Sequence, residues 1–153
     1  MEQGILHLHN LLRWVILILL LIAIMRSMSP RNPFTNGHRK LGLALMISAD
    51  VMLLVGLYQW FTSPLGLKSI QANGMDGVMK DGNLRFFAIE HMIGMIIAII
   101  LIHIGYSYAK RSIPDNVKHK RTLLFYVLAL LVILAFVPWP FREFGRPLFP
   151  GMD

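Results

Sequence analysis

The chain contains no cysteine. That absence excludes disulfides, thiolate zinc sites, iron–sulfur clusters and covalently attached c-type haem together, because each needs sulfur. Charge is also scarce: 15% of the 153 residues are Asp, Glu, Lys or Arg, against 56% hydrophobic, well outside the usual composition of a soluble domain. No Gly-rich phosphate loop, no nucleophile with a matched base and no pair of catalytic carboxylates occurs, so a stand-alone enzyme site is poorly supported. Acidic residues number 8 against 15 basic ones, for a net charge of +7. The basic residues flank apolar blocks, where they report topology, and no nucleic-acid partner is expected.

What is present is four apolar blocks, at about residues 7–25, 41–61, 86–108 and 123–137. Each approaches the length needed to cross about 30 Å of hydrocarbon. Backbone groups find no water there, so the blocks are expected to be helices, and the chain 1–153 a single all-α domain, a four-transmembrane-helix bundle in a lipid bilayer. The first block lacks the basic flank and cleavage site of a secretory signal and reads as a retained span. Arg26, Arg31, Arg39, Lys40, Lys110, Arg111, Lys118, Lys120 and Arg121 lie beside the first and third loops, nine basic residues on one side. Lys68, Lys80, Arg85, Arg142 and Arg146 give five on the other, which predicts both termini on the non-cytoplasmic side. The glycine-containing segment from Thr62 to Leu84 reads as a surface loop, a lid or a partner contact.

Ionisable groups inside a membrane are costly and are functional candidates by default. His9 lies near the start of the first span with Arg13 one turn deeper on the same face. His91 stands six residues beyond Arg85, about 9 Å along a helix. This spacing predicts that His9 and His91 share one level and face each other, as axial ligation of one haem iron requires. Gly94 and Ala98 would offer a smooth stripe to the macrocycle, Arg13 and Arg85 would pair with its propionates, and Trp14 and Phe87 would cover its edge. Glu90 points about 100° away from His91 and is expected to pair with Arg13 or Arg85.

A competing expectation is a metal ion held by His7, His9, Glu90 and His91, which requires the first helical turn to be unwound. His103 lies twelve residues beyond His91, about 18 Å away, and would need a second haem with His38, which reads more naturally as a loop or cap residue. Asp50 is expected either as a neutral acid bonded to a neighbour such as Ser48 or as part of a proton path. His119, inside Lys118-His119-Lys120-Arg121, is expected to be solvated.

Three segments carry a family likeness: His7-Leu8-His9-Asn10-Leu11-Leu12-Arg13-Trp14, Arg85-Phe86-Phe87-Ala88-Ile89-Glu90-His91, and Pro138-Trp139-Pro140-Phe141-Arg142. Through them the chain resembles small bacterial four-helix membrane proteins described as cytochrome b-like. The resemblance implies a multi-pass protein of the bacterial inner membrane that holds b-type haem through His9 and His91. It also implies a histidine in the second helix, where this chain has Asp50, so one haem is expected and not two. The functional expectation is an electron carrier of a respiratory chain, exchanging electrons with a quinol pool or within a larger respiratory complex. The alternative is a non-catalytic accessory subunit of such a complex, its polar residues serving as interhelical contacts.

Overall fold

Each apolar block folds as a helix that outlasts its hydrophobic run, because the polar flanks continue the backbone ladder into the interface. In the computed structural model, which describes residues 2–149, these helices are α1 (Glu2–Ser27), α2 (Asn36–Thr62), α4 (Gly82–Lys110) and α5 (Asp115–Phe136). Their 22 to 29 residues correspond to about 33 to 44 Å, so all four are long and apolar enough to cross a membrane. Among the described residues there is no strand. The fourth span begins at Asp115, eight residues earlier than the apolar run suggests, so the basic segment 118–121 is helical.

The segment read as a loop contains a further helix, α3 (Leu67–Lys80), kinked at Gly74, where φ is 69°. Only glycine takes that conformation readily. Val78 is fully buried and Ser69 nearly so, so α3 lies with one face down on the bundle.

Helix α1 packs on α2 and α5, and α4 packs on the same two. Hence α1 and α4 oppose each other diagonally. The start of α1, helix α3 and the end of α5 share one end, called here the termini end; the short 28–35 and 111–114 connections form the basic end. The core runs through Leu20, Leu45, Ile102, Tyr126 and Ala129, all at most 1% exposed.

Small residues set the closest approaches, as is usual where helices cannot rely on a hydrophobic drive. A Cβ on Gly105 would come within 2.6 Å of the Tyr126 ring, and one on Gly42 within 2.8 Å of its hydroxyl. That buried hydroxyl has no hydrogen-bond partner, a deficit of about 1–3 kcal/mol. Replacing Tyr126 with Phe is therefore expected to leave the thermal midpoint unchanged or raise it. A fall of several degrees would show that the hydroxyl is bonded after all.

Candidate functional site

A cavity of about 440 Å³ opens between α1, α2 and α4 in the half of the bundle nearer the termini end. This is within the size range of small-molecule and cofactor pockets. Its walls are mostly apolar, with Ala49 and Met52 from α2 and Met95, Ala98 and Ile102 from α4. His9 and His91 enter it from the diagonal helices. Their ring centres are 6.3 Å apart, with planes inclined at 62°. Two imidazoles bonded to one metal from opposite sides at about 2 Å per bond have ring centres about 6 Å apart. The buried Nδ1 of His9 has no partner.

His91 is oriented by the end of α5. A helical carbonyl accepts from the residue four positions on; for Leu134 and Phe136 those residues are Pro138 and Pro140, which have no N–H. The Trp139 N–H, which would serve Ala135, turns instead to Val137. Three carbonyls are thus freed, and side chains take all three. Trp139 Nε1 donates to Leu134 at 2.9 Å, Arg142 Nη1 donates to Ala135, and His91 Nδ1 donates to Phe136 at 2.7 Å. Since a carbonyl only accepts, Nδ1 of His91 carries the proton and Nε2 keeps its lone pair. Metal-ligating histidines are fixed in this way, with one ring nitrogen tied to a carbonyl and the other free for the metal.

Gly94 serves this bond and not the cavity. A Cβ there would overlap the Phe136 ring, so the glycine lets α5 come close enough for His91 to reach the Phe136 carbonyl. The expected smooth face against a macrocycle is corrected accordingly: Ala98 lines the cavity and Gly94 does not.

Immediately before His91 the helix widens into a π-turn over Phe86–Glu90, with the His91 N–H bonded five residues back to Phe86. Such turns are often found at functional sites. The extra residue rotates everything before it by about 100° relative to an α-helical count, and this corrects Arg85. Arg85 does not line the cavity; its Nε holds Glu90 at 2.7 Å and its Nη1 donates to the Met79 carbonyl at 2.9 Å. Glu90 thus takes one of its two expected partners, across the π-turn. Trp60 Nε1 donates to the Ala88 carbonyl at 2.9 Å and ties α2 to the same turn.

Arg13 is buried and lines the cavity, with its Nε unpartnered. Its Nη2 donates to the Leu148 carbonyl at 2.7 Å, and Trp14 Nε1 donates to the same oxygen at 2.9 Å while its ring stacks on Phe149. Trp14 therefore clasps the returning tail and does not edge the cavity. Phe87 does line it, with the Arg146 guanidinium over its ring at 5.0 Å, and Arg146 also reaches the cavity. Arg146 was not legible as a site residue, since only the fold of the 137–149 tail brings it there.

The remaining candidates are held elsewhere. His38 accepts from the Thr35 N–H at 3.1 Å, stacks on Phe34, and meets His119 edge-on at 5.0 Å. It is a cap residue of α2 at the basic end. His119, expected in solvent, is completely buried, its Nε2 donating to the Asn32 carbonyl at 3.1 Å. The early start of α5 turns that face of the basic segment onto the 28–35 connection. His103 bonds Asp50 at 2.7 Å, so His103 and His38 do not form a second pair. Ser48, the expected partner of Asp50, donates to Ala44 instead. Among the described residues no three His, Asp or Glu side chains gather to hold a metal ion. This removes the His7, His9, Glu90 and His91 set: His7 does not line the cavity and Glu90 is bound to Arg85.

Comparison with protein-family models, curated proteins and solved structures finds no match to this chain.

Proposed function

We propose that the protein is a membrane-bound b-type haem carrier of electrons in a respiratory chain. The observation that carries this reading is the 6.3 Å approach of His9 and His91 across an apolar cavity. The donor set suits the group. His91 offers Nε2 because Nδ1 is tied to Phe136, and His9 lines the same cavity from the diagonal helix. Two imidazoles are too few for a bare metal ion yet sufficient for haem, whose porphyrin supplies the other donors. Bound there, haem would supply one-electron exchange between ferric and ferrous iron.

The chain's own residues account for the rest. Arg13 and Arg146, which both line the cavity, give it a cationic side for two carboxylates. Met95 and Ala98 keep water from the interior, and the low dielectric tunes the potential. The excess of basic residues at the 28–35 and 111–114 connections supports a location in the cytoplasmic membrane with the cavity half facing outward. A lipid-soluble quinol is the proposed electron donor, and a larger respiratory complex the proposed setting.

The test is a reduced-minus-oxidised spectrum of protein purified after haem-sufficient expression. A sharp b-type band is expected. A folded, colourless protein would overturn the reading and leave a non-catalytic subunit.

A further inference from the structure

His103 and Asp50 are the only described ionisable pair near the middle of the spans, and they are not enclosed. His103 Nε2 stands 2.7 Å from Asp50 Oδ1, and each side chain is 44% exposed. Around them Ile47, Val51 and Leu54 of α2 and Ile100 of α4 are also exposed, which marks this flank as the lipid face. Intramembrane ionisable residues ordinarily face the bundle interior or a watery cavity, because hydrocarbon solvates them poorly. A pair presented to lipid therefore lacks the cover that such groups require.

The pair's chemistry narrows what can supply it. The carboxylate accepts from Nε2–H, which leaves Nδ1 of the imidazole and Oδ2 of Asp50 as two further acceptors on half-exposed side chains. A carboxylate backing an imidazole in this way is the arrangement of a general base, in which the acid holds the ring's tautomer. The ligand must therefore reach the site through lipid and bring an O–H donor. A hydroxyl on an apolar ring meets both conditions. The site is also placed for use: Ala49 and Ile102, the chain neighbours of Asp50 and His103 and about 100° around the same helices from them, line the cavity.

We infer that His103 and Asp50 form the docking site of a lipid-soluble hydroquinone, whose hydroxyl donates to His103 Nδ1. The choice of a hydroquinone among hydroxylated rings rests on the electron-carrier reading; the acceptor site itself does not. Asp50 acts as a positioning residue, fixing the tautomer that leaves Nδ1 open.

The test is equilibrium binding of 2-methyl-1,4-naphthohydroquinone, kept reduced without oxygen, to the protein in phosphatidylcholine nanodiscs, read by the fluorescence of the ring. His103→Leu is expected to weaken binding at least tenfold and Asp50→Asn several-fold, with His103→Gln as a polar control that keeps the fold. The dimethyl ether of the same ring, which has no O–H, is expected to bind wild type at least tenfold more weakly. The doubly substituted His9→Leu, His91→Leu protein is expected to bind the hydroquinone as wild type does. A wild-type protein that docks the hydroquinone yet shows no b-type band would thus sink the haem alone. Equal binding by wild type and both His103 variants would overturn the docking site, as would equal binding of the ether. A dimer that His103→Leu dissociates, with hydroquinone binding unchanged, would overturn it too and make the pair a contact between copies.

Discussion

Protein carrying His91→Leu is expected to purify without haem and to lose the reduced b-type band completely, and His9→Leu is expected to do the same. The two substitutions should nonetheless differ in stability. His91 Nδ1 is bonded to the Phe136 carbonyl, which Pro140 leaves without a backbone donor. Removing the imidazole strands that carbonyl, at about 1–3 kcal/mol. His9 has a buried Nδ1 with no partner, so the leucine there removes a deficit and is expected to be neutral or stabilising in the haem-free protein. Thermal melts of both variants against haem-free wild type check this. Equal melting temperatures would show that the Phe136 bond contributes nothing. Retention of the b-type band in either variant would show that its imidazole is not a ligand.

The second large effect is expected at Gly94. Its missing side chain is the space occupied by Phe136, and even a single Cβ would overlap that ring. Gly94→Leu should force α4 and α5 apart, with an overpacking cost of about 1–3 kcal/mol or more. Because Phe136 also carries the carbonyl that orients His91, the haem band should broaden or diminish together with the stability loss. The smaller change Gly94→Ala is expected to cost less in a Phe136→Ala background than in wild type, since the two residues compete for one volume. Strictly additive costs from melting curves of the four proteins would contradict the contact.

Much of the fold was legible because hydrocarbon imposes a simple rule: apolar runs of sufficient length become helices. The diagonal meeting of His9 and His91 was legible for a related reason, since rise per residue fixes depth once two helices enter from the same end. What escaped were features that break helical counting. The π-turn at Phe86–Glu90 has no spacing signal in the sequence, and it carried Arg85 to Glu90 and away from the cavity. The boundary of α5 was read from hydropathy, whereas the helix continues through its basic first turns, and this buries His119. Arg146 and the clasp of Leu148 by Arg13 and Trp14 depend on how an irregular tail folds back, which no periodicity reports. The Pro138-Trp139-Pro140 segment was visible as a helix stop; its effect of freeing the Phe136 carbonyl for His91 becomes apparent only in three dimensions.

The most direct measurement is the pyridine haemochrome content of purified wild-type protein, taken with its low-temperature paramagnetic resonance spectrum. One haem b per chain and a low-spin ferric signal from two imidazole ligands are expected. A correctly folded bundle with no haem, or haem in a high-spin state that substitution of His9 or His91 leaves unaltered, would contradict the account.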